Sequence, residues 1–125
     1  DMLIPQINID AKIKLGDITP DLYHTLQKFA PFGPNNNVPV FMTDHVTNFI
    51  GSKQVGRHHE HLKLVVVDDT RICNDRSGIA FGMGKYFSRI SKGEFFYICY
   101  TLQENEFMGK SDIQMMIKDL QFNEE

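Results

Sequence analysis

The sequence predicts a mostly β fold: a small antiparallel barrel of five to seven short strands with one helix near residues 20–30. Three observations carry this. Short alternating or β-branched apolar runs recur with Gly, Pro, Asn and Asp turn compositions between them. Only one segment combines helical spacing with a cap. No strand–helix–strand alternation suggests a parallel sheet. Short strands leave edges open to aggregation, and closing the sheet on itself removes them. At 125 residues, 42% hydrophobic and 23% charged, the chain is one domain's worth and should bury roughly two-thirds of its unfolded surface.

The elements follow in order. Ile7, Ile9, Ala11, Ile13 and Leu15 alternate with Asn8, Asp10, Lys12 and Lys14, the period of a half-buried strand. Gly16-Asp17 turns the chain. Thr19-Pro20-Asp21 then supplies a cap, a first-turn proline and an early acid, with Leu22, Leu26, Phe29 and Ala30 at helical spacing and Pro31 and Gly33 to stop the helix. Pro31 to Pro39, with three consecutive asparagines, reads as an ordered loop. Val38 to Val46 is the next strand, and Asn48 to His59, with Gly51 and Gly56, a loop or hairpin end. His61 to Val67, Ile79 to Met83 and Phe95 to Leu102 are strands rich in β-branched and aromatic types. Ile113 to Ile117 alternates as a last strand, although a helix also fits Ile113 to Leu120. Gln121 to Glu125 reads as a frayed tail.

Composition bounds the function. No apolar run approaches the roughly 18 residues of a membrane span, so a soluble protein is expected. Cys73 and Cys99 are too few for a disulfide framework and lack zinc spacing, which fits a reducing cytoplasm. The start, Asp1-Met2-Leu3-Ile4-Pro5, shows no export signal and no initiator methionine, as expected of a segment of a longer chain. The net charge of −3 argues against nucleic-acid binding by bulk charge. Its distribution is uneven, however: −2 over residues 1–49, +4 over 50–92 and −5 over 93–125. A polyanion could find the middle third if the fold gathers it on one face.

His58, His59 and His61 cluster around Glu60, but a strand would bring at most two of them to one point, and Asp44 or His45 would have to complete a metal site. The other reading is that these histidines are merely polar or touch phosphate. Asp68-Asp69 reads as a turn rather than a catalytic carboxylate pair. No nucleophile elbow, Walker loop or dinucleotide fingerprint is present. The glycines of Gly78 to Gly84 instead thin one strand face for a sharp bend or a close approach. Arg57, His59, His61 and Lys63 fall at spacing two and share a face if strand pairing extends back to Arg57. Lys85, Tyr86, Phe87, Arg89 and Lys92 follow the glycine-rich strand. Cations along a phosphate chain beside rings for stacking are what single-strand binding needs; buried rings with scattered cations are the alternative.

At Phe29-Ala30-Pro31-Phe32-Gly33-Pro34-Asn35-Asn36-Asn37-Val38-Pro39-Val40-Phe41 the chain resembles the RecJ family of single-stranded-DNA-specific exonucleases. Further similarities follow in order at His61 to Leu64, Gly78 to Gly82, Tyr100-Thr101-Leu102, Asn105-Glu106-Phe107 with Gly109, and Gln114 through Asp119. The resemblance is to the family's oligonucleotide-binding (OB) domain only. The manganese- or magnesium-binding Asp-His-His motifs are not matched, since Asp44-His45 is followed by no second histidine, and Asn35-Asn36-Asn37 departs from the family's Gly-Asn-Pro. It implies a non-catalytic module of a 5′-to-3′ exonuclease of DNA repair and recombination, with no cofactor of its own. Single-stranded DNA and the catalytic domains of the parent chain are then the expected partners. Lys53, Arg57, His59, His61 and Lys63 are the first candidates for backbone contacts, Lys85, Arg89 and Lys92 the next, and Phe81, Tyr86 and Phe87 the candidates for stacking. Two other readings stand beside this one: a docking module using the acidic C-terminal third near Phe107 and Met108, and an autonomous metal-dependent phosphoesterase.

Overall fold

The computed structural model describes residues 9–28, 38–68 and 75–122. Its strands are β1 (Ala11–Lys12), β2 (Phe41–Asn48), β3 (Lys53–Val55), β4 (His61–Val67), β5 (Arg76–Ala80), β6 (Phe96–Phe107) and β7 (Lys110–Phe122); its α-helices are α1 (Pro20–Gln27) and α2 (Phe87–Ile90). The expected mostly β barrel is what forms. The neighbour order β1-β2-β6-β7-β5-β4-β3, with a further pairing of β2 to β4, closes β2, β4, β5, β7 and β6 into a five-stranded ring. β1 and β3 flank it as short edges. Most pairings are antiparallel, but the β5–β7 seam that closes the ring and the β1–β2 pair are parallel.

Alternation along each strand decides which side chains enter the ring. Leu62, Leu64 and Val66 of β4, Phe96, Ile98, Tyr100 and Leu102 of β6, and Met115, Ile117, Leu120 and Phe122 of β7 all point inward and are buried. The ends are closed differently. At the end where β6 and β7 leave the ring, Leu15 and Ile18 are buried beneath α1, whose Leu22, Tyr23 and Leu26 pack on the core. At the other end Ile90 of α2 is buried, and Tyr86 lies 6.0 Å from the Phe122 ring, which in turn lies 5.6 Å from Phe96.

The seam depends on glycine. Gly78 stands opposite Met115, and a β-carbon there would sit 2.7 Å from the Met115 carbonyl oxygen. Here the expected close approach is real. Gly84 is equally confined, since a β-carbon would overlap the His59 carbonyl oxygen. Its N–H instead donates to the Glu60 carbonyl at 2.9 Å, tying the turn before β4 to the turn before α2.

Several boundaries differ from the sequence expectation. The described part of the expected first strand, from Ile9, holds only a two-residue parallel edge, extended by hydrogen bonds from Asp10 N–H to Val40 and from Ile13 N–H to Met42; Leu15 then turns into a 3-10 helix (Leu15–Asp17). Alternation there reflects an element lying on the barrel rather than within it. The helix forms from Pro20 with Thr19 Oγ1 accepting from Leu22 N–H at 3.1 Å, as its cap composition predicts. The 48–59 segment holds β3 rather than loop alone. The Ile79-to-Met83 strand lies earlier, at β5, and Gly84–Ile90 forms a 3-10 turn and α2 that spacing did not reveal. Ile113 to Leu120 is strand, not helix, and Gln121 and Phe122 continue β7 rather than fraying, because Phe122 is buried against Phe96. Phe29, Ala30, the Pro31-to-Asn37 loop, Asp69 and Cys73 lie outside the described residues.

Candidate nucleic-acid interface

The outer surface of β3, β4 and β5 is set by register. Lys53 stands directly across from Lys63, and Lys63 across from Ile79; Val55 stands across from His61, beyond which Phe81 follows β5. Because Leu62 and Ala80 point into the core, these neighbours all point out. The surface therefore presents a row of Lys53, Lys63 and Ile79, a second row of Val55, His61 and Phe81, and Ser77 beside Val65 toward the far end. Ser52 pins β4 to the loop before β3: its hydroxyl accepts from Val65 N–H at 2.8 Å and donates to the Val65 carbonyl at 3.1 Å.

Phe81 is 61% exposed and meets the His61 ring edge-on at 5.1 Å. His61 is held in place: its Nδ1 accepts from Gly82 N–H at 2.8 Å, leaving Nε2 to carry a proton toward Glu60 Oε2, 3.5 Å away. Glu60 Oε1 accepts the His58 N–H at 2.8 Å, and such backbone bonds hold its carboxyl below the ordinary range. Among the described residues, Lys53, Arg57 and Lys63 form no ion pair.

The sequence candidates divide. Lys53, His61, Lys63 and Phe81 share the face. Arg57 and His59 do not extend the strand register, because β4 begins at His61 and residues 56–60 form a hairpin loop in which Gly56 (φ 102°) and His59 (φ 59°) take left-handed backbone. They are exposed at the loop that borders the face. Lys85 is exposed, with its Nζ 5.5 Å from the Tyr86 ring, just past Gly84, whose carbonyl accepts from Gln54 of β3 at 2.9 Å. Lys92 is exposed beyond α2. Arg89 is engaged elsewhere: its guanidinium lies 4.0 Å over the Phe122 ring and meets Glu94 through Nε at 3.1 and 3.2 Å and Nη2 at 3.1 Å. Tyr86 and Phe87 pack on the core as end-plug residues. The feature that spacing missed is the Lys53–Lys63 pairing, whose signal is the alternation of Lys53-Gln54-Val55 just before Gly56.

No group of three or more His, Cys, Asp or Glu side chains converges among the described residues. Asp44 is instead bound by Lys12 at 2.8 Å, whose hydrogen bond and charge hold its carboxyl low, and His45 stacks on Phe95 at 4.1 Å with the rings 3° from parallel.

A five-stranded barrel whose outward strand face and flanking hairpins carry cations and an exposed ring belongs to the oligonucleotide- and oligosaccharide-binding class. The RecJ OB domain family model matches residues 9–119, and the chain belongs to that family. Among solved structures the chain is similar to the mitochondrial single-stranded DNA binding protein of S. cerevisiae. Sequence identity is 11% and the TM-score 0.47, over 69% of this chain and 96% of that one. No curated protein matches.

Proposed function

We propose that the outer face of β3, β4 and β5 holds single-stranded DNA, and that this module feeds the strand to a metal-dependent 5′-to-3′ exonuclease site elsewhere in a longer chain acting in DNA repair and recombination. One observation carries the reading. Lys53 and Lys63 are directly cross-strand, where like charges destabilise a sheet, and among the described residues no acid forms an ion pair with either. A phosphate seated between them converts that repulsion into two attractions. Phe81, on the adjoining row, is the ring on which a base stacks, and Arg57 extends the cationic path beyond the hairpin loop. These are the elements an OB barrel uses for oligonucleotides, its second and third ring strands with the loop that leads into them.

Titration of labelled oligo-dT at low salt tests this. Log affinity should fall with log salt by about 0.7 per phosphate neutralised. Lys53→Ala with Lys63→Ala should flatten that slope by up to about 1.4, and Phe81→Ala should weaken binding by about 1–3 kcal/mol. Arg89→Ala should leave the slope intact, since that guanidinium is engaged by Glu94 and Phe122. A double lysine variant that binds as the parent chain does would refute the assignment.

A further inference from the structure

Beyond residue 102 the β6–β7 pair leaves the ring and continues as a two-stranded arm, paired from Gln103 with Gln114 to Phe107 with Lys110. Its tip is a two-residue turn, Met108 (φ 53°) and Gly109 (φ 78°), in which both residues adopt left-handed backbone. Such turns favour Asn-Gly or Gly-Gly, because a long side chain at the first position strains the backbone. This chain puts methionine there, 85% exposed, directly after a Phe107 that is 75% exposed. Strain is thus retained at the position where apolar surface is presented to solvent, a combination characteristic of binding tips.

The charge around the tip says what it meets. Glu104, Glu106 and Asp112 flank it against Lys110 alone. The Glu104 carboxylate is fixed by Ser111 at 2.6 Å and by His24 of α1 at 3.3 Å, and both hold it ionised below the usual range. By the pairing, Asp112 shares the Phe107 face with Lys110 while Glu104 and Glu106 occupy the other face of the ribbon, so acids stand on both sides of the apolar tip; this net acidic finger repels a phosphate chain and complements a cationic surface with an apolar socket. We infer that the β6–β7 arm is a docking finger for a basic protein surface, with Phe107 and Met108 as its anchors and Glu104, Glu106 and Asp112 as its acidic flanks. Large flexible and aromatic side chains of this kind carry most of the energy at protein interfaces.

The test uses two synthetic peptides with the same leucine–phenylalanine centre, one flanked by lysines and one by glutamates, titrated into the isotope-labelled chain. The lysine peptide should shift amide signals confined to residues 103–114, and the glutamate peptide should bind about tenfold more weakly or not at all. Phe107→Ser with Met108→Ser should abolish the shifts. Because both side chains are exposed at a turn, the remaining amide spectrum should stay unchanged, and so should oligo-dT affinity, which separates this inference from the DNA-binding face. Equal response to both peptides, no response to either, or survival of the shifts in the double variant overturns it. So does an oligo-dT footprint on the arm, which would make it part of the DNA site, or self-association abolished by the same variant, which would make a second copy its occupant.

Discussion

Tyr100 is the largest fully buried side chain among the described residues, and its hydroxyl sits 2.7 Å from Thr43 Oγ1. Thr43 spends its one proton on the Ile13 carbonyl at 2.9 Å, so Tyr100 is the donor between them. Burial pushes the Tyr100 phenol up from 10.0 to about 12. The folded state therefore holds this proton more tightly than the unfolded one. The stabilisation is fully present below pH 10 and is lost as pH rises through about 12, a loss on the order of 3 kcal/mol for two pH units. Burial raises Tyr97 and Cys99 in the same direction, with Asp119 adding to both. Denaturant melts at stepped pH should show a plateau at neutral pH and a steep alkaline fall. In Tyr100→Phe that fall should be shallower but present, after a neutral-pH loss of about 1 kcal/mol for the missing hydrogen bond. A second single-residue outcome concerns the arm's turn. Met108→Asn should raise stability by about 1 kcal/mol, read as a higher melting temperature, because asparagine tolerates the left-handed backbone that methionine strains to adopt.

At the scale of elements, the ring closes only where β5 and β7 come close, which makes Gly78→Ala a sharp test. The new methyl would press on backbone and on the Met115 β-carbon, neither able to swing aside, so a loss of about 1–3 kcal/mol is expected by thermal melting. Gly82→Ala meets no atom within 4 Å and should cost only the strain of φ 76°, about 1 kcal/mol. At Gly78 the expected close approach was legible, because composition marks one even where the partner is unknown; Gly82 and Gly84 lie past β5, in a turn and a 3-10 helix, and thin no strand face. β4 was legible from His61 to Val67 because half of it is buried and half is not. The short β1 and the second helix were not. Ile7 to Leu15 alternates as a ring strand would, yet its described part packs on the barrel from outside. Gly84–Ile90 is too short for a periodic signal, its residues being chosen to plug the end of the ring. The arm from Gln103 to Asp112 was invisible as strand because both its faces are solvated and alternation needs one buried face.

For the whole molecule, a chain of net charge −3 binds a polyanion only through local charge, and the +4 middle third is where the sequence put it. The fold uses that third unevenly. Lys53 and Lys63 meet across strands, whereas Arg89 of the same third is turned to the plugged end by Glu94, a division that depends on register and a short helix and is absent from any spacing pattern. Glu60 borders the proposed DNA face, anchored by the His58 N–H and facing His61, and its lowered carboxyl keeps it ionised throughout the neutral range. At 0.1 M salt, charges interact over about 10 Å, so this carboxylate opposes a phosphate beside His61 and Lys63. Glu60→Gln keeps an acceptor for the His58 N–H and removes the charge. Oligo-dT affinity should therefore rise several-fold at low salt, with the gain fading as salt increases. Glu106→Gln makes the same change in net charge on the arm, which extends from the end of the barrel opposite the Glu60 turn. It should leave oligo-dT affinity where it was. If both substitutions raise affinity alike, the chain is answering to its total charge, and the pairing of Lys53 with Lys63 is not what gathers the strand.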